Sequence, residues 1–174
     1  MRRVLWLAAV IPAITHAELR STPDLGLVEG HCRVGEAGPA FQVTAVGLKD
    51  RHGRLRLEVY PPTEADFLQD DDVLISAGKV FRRAEIAVPA TGPATMCVRV
   101  PRAGSYTLSL LHDRDGNRKF GLSVDGLGFP NNPPLHFSKP AASVVRVTAG
   151  PGITSLTIRM NYRHGLLSFG PIGE

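Results

Sequence analysis

Residues 41–60 read Phe41-Gln42-Val43-Thr44-Ala45-Val46-Gly47-Leu48-Lys49-Asp50-Arg51-His52-Gly53-Arg54-Leu55-Arg56-Leu57-Glu58-Val59-Tyr60. Phe41, Val43 and Ala45 alternate with Gln42, Thr44 and Val46, the period of a half-buried strand. Leu55, Leu57 and Val59 alternate with Arg54, Arg56 and Glu58, the cleanest such pattern in the chain. The polar stretch Lys49 to Gly53 between them predicts a hairpin turn. Pro61-Pro62 ends the second strand, because proline cannot donate to a ladder.

Outward from this pair the same grammar repeats. Val80–Val88 predicts one or two short strands, and Thr95–Val100 another, with Met96, Val98 and Val100 on one face and Cys97 and Arg99 on the other. Ser105–His112 sets Tyr106, Leu108 and Leu110 against Thr107, Ser109 and Leu111. Val145 and Val147 mark a further strand, and Leu156, Ile158, Met160 and Tyr162 a last one. Between them lie turns: Pro89–Pro93, Ala103-Gly104, Asp113–Asn117, and the irregular Gly121–Pro140. Thr63–Ser76 is an acidic loop or single helical turn anchored by Phe67 and Leu68, with Asp70, Asp71 and Asp72 solvated. With 18 Gly and 14 Pro among 174 residues, long helices are disfavoured. The pattern predicts an all-β fold: an antiparallel β-sandwich of about seven strands with Greek-key connections. It leaves immunoglobulin-like and transthyretin-like topologies both open.

The chain starts Met1-Arg2-Arg3, followed by an apolar run from Val4 to Ile14 and then Thr15-His16-Ala17. A positive start, a short apolar stretch and a small residue before a polar one describe a secretory signal peptide over 1–17, cleaved after Ala17. Eleven residues make a helix of roughly 16 Å, too short for a hydrocarbon core near 30 Å. No later stretch is apolar enough to span, so an integral membrane protein is not expected. The organisation expected is signal peptide 1–17, N-terminal extension 18–40 with a short strand at Val28–Val34, sandwich 41–162 and a C-terminal tail 163–174. The location expected is periplasmic or secreted.

Cys32 and Cys97 are the only cysteines, and in an exported chain they read first as a disulfide. Such a bridge closes a loop of about 65 residues and stabilises by roughly 4 kcal/mol in the chain-entropy estimate. With Cys97 on the face away from the core, the bridge would fasten the N-terminal extension over the outside of the sheet. The formal net charge of +4 falls to +2 once Arg2 and Arg3 are removed. Neither that charge nor any basic block supports a nucleic-acid partner.

Three ordered motifs resemble one family. They are Gly47-Leu48 with the polar turn and Gly53–Tyr60; Gly104-Ser105-Tyr106-Thr107-Leu108 leading into His112-Asp113-Arg114-Asp115-Gly116-Asn117; and Gly126-Leu127-Gly128-Phe129-Pro130-Asn131-Asn132. These are similar to the opening hairpin, the histidine-aspartate strand end with its Asn/Asp-Gly-Asn turn, and the glycine-aromatic-x-Asn-Asn stretch of a bacterial exported family, domain of unknown function 2141. The likeness covers about Phe41 to Tyr162. It implies a small exported β-sandwich, with no activity attached.

Asp113, Asp115 and Asn117 stand at alternate positions, as do the first oxygen ligands of a calcium loop. Family members often read D-x-N-G-N-G-x-x-D there. This chain departs from that pattern, with Arg118 in place of a turn glycine and Gly121 in place of a further aspartate. Val124 fills the position of the bidentate glutamate. Asp125 and Asn131 are further candidate ligands, and the competing reading is a polar turn satisfying its own backbone. His112, beside Asp113 and with His136, suggests a metal or general-base site, against the plainer reading of a structural hydrogen-bonder. His31, His52 and His164 fall in turns. Phe129, Asn131 and Asn132 form a candidate binding loop, or a crossing segment with Phe129 plugging the core.

No G-x-S-x-G elbow, H-E-x-x-H helix, phosphate-binding glycine loop or dinucleotide fingerprint is present in the sequence. The reading is therefore a non-enzymatic binding or accessory module of the cell envelope, with an envelope protein or small ligand as partner and no cofactor required. The alternatives are a calcium-stabilised domain using the Asp113–Asn117 loop and a metal-dependent hydrolase around His112 and Asp113.

Overall fold

The computed structural model describes residues 19–135, 138–166 and 168–172. The expected signal peptide and His136 lie outside the described residues. The described chain is predominantly β, with ten strands in two sheets and three helical segments of four to six residues. It opens with α1 (Leu27–Gly30) and β1 (Ala40–Val46), followed by β2 (Arg54–Tyr60), α2 (Asp71–Ser76), β3 (Arg82–Ala87), β4 (Ala94–Arg99) and β5 (Gly104–Asp113). The rest comprises β6 (Gly126–Gly128), α3 (Ala142–Val145), β7 (Arg146–Ala149), β8 (Ile153–Arg159), β9 (Asn161–His164) and β10 (Ser168–Gly170).

The smaller sheet has the order β4-β1-β8, with β1 antiparallel to β4 and parallel to β8. The larger runs β10-β9-β6-β5-β2-β3, and β7 pairs with the first half of β5. The alternating residues quoted above form the core between them. Phe41 and Val43 from one sheet, and Leu55, Leu57, Val59, Leu108 and Leu110 from the other, have no exposed surface.

The alternation names the buried face but not the sheet that carries it. β1 and β2 are not a hairpin: they belong to opposite sheets, and Leu48–Gly53 crosses the end of the sandwich. Ala103-Gly104 likewise joins β4 to β5 across the sheets rather than turning within one. The single last strand expected from Leu156 to Tyr162 is two strands. The backbone leaves the smaller sheet at Met160 and re-enters in the larger one, while Ile158, Met160 and Tyr162 all stay in the same core. Several of the strands beyond the expected seven are short, β6 and β10 having three residues each.

The larger sheet is also covered on its outer face. Tyr60, Phe67, Phe81 and Phe129 form a chain of edge-to-face rings 5.5–5.9 Å apart, closed by Leu74 of α2 and Val145 of α3. Phe67 is the expected anchor, whereas Leu68, at a positive φ of 62°, points partly to solvent. Beside the rings lies a layer of ion pairs set by register. Arg56 faces Glu85 and Glu58 faces Arg83 across β2 and β3, with Nε–Oε1 distances of 2.8 Å in both pairs. Arg83 also donates to Asp71 at 3.2 Å and to the carbonyls of Thr22 and Leu25 at 2.9 and 3.3 Å. Asp71 is thus buried, not solvated as the acidic run suggests, because Arg83 gives it a partner.

The N-terminal extension forms a helical turn, α1, where a strand was expected at Val28–Val34, and packs on β3. Gly30 permits this contact, since a Cβ there would sit 2.4 Å from the Arg83 carbonyl oxygen. Cys97 lies on the outward-facing set of β4 and is bonded to Cys32. The bridge therefore ties the extension, lying on the edge of the larger sheet, to an edge strand of the smaller one.

Candidate functional site

β5 ends at His112 and Asp113, and successive residues of a strand point to opposite faces. His112 faces the inter-sheet core and has no exposed surface. Its Nε2 donates to the His52 carbonyl at 2.7 Å, since a carbonyl oxygen only accepts. Its Nδ1 must then accept the Tyr162 hydroxyl proton, also at 2.7 Å. Burial lowers the His112 pKa from its ordinary value, outweighing the opposing effects of the His52 carbonyl and Asp50. Burial likewise pushes the Tyr162 phenol up to about 12. Partial burial works to raise the Asp50 pKa, but the Arg114 guanidinium and the His52 N–H hold it below the ordinary carboxylate value. This end of the sandwich is a neutral histidine locked between a tyrosine and the crossover that joins β1 to β2.

Asp113 turns the other way, into the loop of residues 114–125. Its Oδ2 accepts the Arg118 backbone N–H at 2.8 Å. Arg118 takes a φ of 63°, so it adopts the left-handed conformation of the glycine it replaces. Asp125, just before β6, accepts N–H bonds from Arg114 at 2.9 Å and Gly121 at 2.7 Å. Asp115 accepts the Asn117 N–H at 3.1 Å, in an Asx turn. Carboxylate oxygens of Asp113, Asp115 and Asp125 come within 4.8 Å of one another. Asp113 is 1% exposed, and its Oδ1 has no donor among the described residues. Asp113 and Asp115, paired in the alternate-position pattern, lie together in this cluster. Asn117, its third candidate, is folded back, with its amide on Asp115 at 2.8 Å and its oxygen on the Lys119 N–H at 2.7 Å.

The candidate binding loop is anchored by its own side chains. Phe129 is 1% exposed and sits in the outer ring cluster rather than between the sheets. Asn131 donates to the carbonyls of Val144 at 2.7 Å and Arg146 at 3.3 Å. Asn132 accepts the Arg159 N–H at 2.6 Å. Both asparagines have positive φ, 63° and 48°, values that asparagine tolerates better than most residues. Immediately after them a cleft of about 610 Å³ opens, lined by Asn132, Pro133, Pro134 and Leu135 on one side and by His164 and Phe169 on the other. Of this lining the sequence pattern marked Asn132, in the candidate binding loop, but gave no role to His164 or Phe169 across from it.

No curated protein and no solved structure matches this chain. The profile of one family, described as an uncharacterised protein conserved in bacteria (DUF2141), matches residues 43–157. That span runs from β1 into β8 and includes the Asp113–Asp125 loop and the Phe129–Asn132 segment. The chain belongs to this family of uncharacterised bacterial proteins.

Proposed function

We propose that the protein is an exported, non-enzymatic β-sandwich module that binds an envelope partner or small ligand through the cleft beside Asn131 and Asn132. The observation that carries this reading is the state of His112. Both its ring nitrogens are spent on Tyr162 and His52, and it has no surface open to a substrate. A general base must reach the proton it removes. Asp113, the other half of the suggested hydrolase pair, faces away from it into a separate loop. Loops fixed on a rigid sandwich are common carriers of ligand contacts. Here the Asn131 and Asn132 bonds hold one wall of the cleft in place, and the adjoining prolines stiffen it. The Cys32–Cys97 bridge supports a location where disulfides persist.

Site-specific photo-crosslinking in the native host tests the binding role. A benzoylphenylalanine probe replacing Pro133 should capture a defined envelope component, and the same probe replacing Val46, exposed on the smaller sheet, should not. The recovered protein should begin at Glu18 and carry no free thiol. Equal capture from both positions would overturn the cleft assignment. Hydrolysis of an ester, phosphoester or glycoside that the His112→Gln variant loses would overturn the non-enzymatic one.

A further inference from the structure

We infer that Asp113, Asp115 and Asp125 together bind one calcium ion. The inference is independent of the binding role proposed above, because none of the three residues lines the cleft. The acidic cluster alone would not carry it; the buried Asp113 Oδ1 does. This carboxylate oxygen is shut away from solvent, in a residue 1% exposed, with no donor to meet it among the described residues. Burying an unpaired carboxylate oxygen is costly, and native structures rarely leave one so. A cation held at the same cluster supplies the missing partner.

The rest of the loop is arranged for that. Backbone N–H groups already fix Asp113 from Arg118, and Asp125 from Arg114 and Gly121, so the acids are held in position rather than gathered by the ion. The two arginines that the sequence puts into this loop are engaged elsewhere. The Arg114 guanidinium pairs with Asp50 and donates to the Val124 carbonyl at 2.7 Å. The Arg118 guanidinium reaches Asp24 and Glu85, each at 3.6 Å. The donors are all carboxylate oxygens, with no nitrogen or sulfur, which selects a hard cation. Three protein carboxylates suit calcium, which takes roughly six to eight oxygens in a flexible shell, better than magnesium, which usually keeps several waters and takes one or two carboxylates. One carboxylate oxygen from each acid lies within 4.8 Å of the others, close enough to share one ion. Asp125 replaces Asn117 of the alternate-position pattern as the third ligand.

Calorimetric titration of the chelator-stripped, oxidised protein with calcium chloride tests this, with thermal melts alongside. One ion should bind, and 10 mM calcium should raise Tm by about 5 °C, more than the same concentration of magnesium does. Asp115 is exposed, so Asp115→Asn folds normally and should weaken calcium at least tenfold. Asp125→Asn should do likewise, and Asn117→Ala should change the affinity by less than threefold. Absence of both heat and Tm shift in the wild-type protein would overturn the site. Wild-type affinity in Asp115→Asn would also overturn it. Loss of binding in Asn117→Ala, with Asp125→Asn unaffected, would overturn the ligand set.

Discussion

The two faces of the larger sheet are built by different means. Its inner face uses Leu55, Leu57, Val59, Leu108 and Leu110, all without exposed surface, against the side chains of β1 and β4. Its outer face uses Arg56, Glu58, Arg83 and Glu85, paired across β2 and β3, with the Tyr60–Phe67–Phe81–Phe129 rings beside them. The inner face is closed by another sheet, whose strands repeat every two residues. The outer face is closed by irregular cover: the N-terminal extension, α2, and the long segment between β6 and β7. One face is held by area removed from water. On the other, charges are buried because each has a partner, so its integrity rests on keeping every member in place.

If that contrast is right, truncation of an inner-face leucine should cost most. Leu108→Ala is expected to lower unfolding stability by about 3–5 kcal/mol, measured by urea denaturation. Arg83→Met is expected to cost about 3 kcal/mol, because the buried Asp71 and the half-buried Glu58 are left without their cation. The sharper test adds Glu58→Met and Asp71→Asn to that variant, which should recover most of the loss. A triple variant no better than the single one would break the distinction between the faces. Cys32→Ser with Cys97→Ser should cost about 2–4 kcal/mol. Hydrogen exchange should then show the first loss of protection at residues of the N-terminal extension and of β3. The smallest effect concerns His112, whose pKa is depressed by burial in the folded state. The unfolded chain binds more protons below about pH 6.5, so stability should fall as pH drops from 7 to 5. His112→Gln should flatten that part of the Tm–pH curve, and an unchanged slope would show that other groups set it.

The same contrast explains what the sequence reveals. The period-two pattern of Phe41–Ala45, Leu55–Val59 and Met96–Val100 identifies the inner face residue by residue. It is silent on which sheet each strand joins, because strands on both sides point their apolar residues into one shared space. That is why Lys49–Gly53 reads as a hairpin and Leu156–Tyr162 as one strand. The outer cover is hidden for another reason. Asp71 and Arg83 are charged, Phe81 and Phe129 are isolated aromatics, and their burial depends on partners distant in sequence. In the acidic loop, the spacing of Asp113 and Asp115 is local and therefore readable. Asp125 joins them only because residues 114–125 fold back before β6, where Gly126 and Gly128 let Tyr162 and Ile158 come close.

β1 and β8 lie side by side and run the same way, with Ala40 opposite Ile153 and Val46 opposite Arg159. As the polypeptide emerges from the ribosome or a translocon, β1 can pair with β4 first, but its other border stays bare until β8 has been made. Native contacts between such distant stretches slow the search for the final structure. They also leave an unpaired strand open to neighbouring chains in the meantime. The yield of correctly folded molecules therefore depends on how long that border stays open.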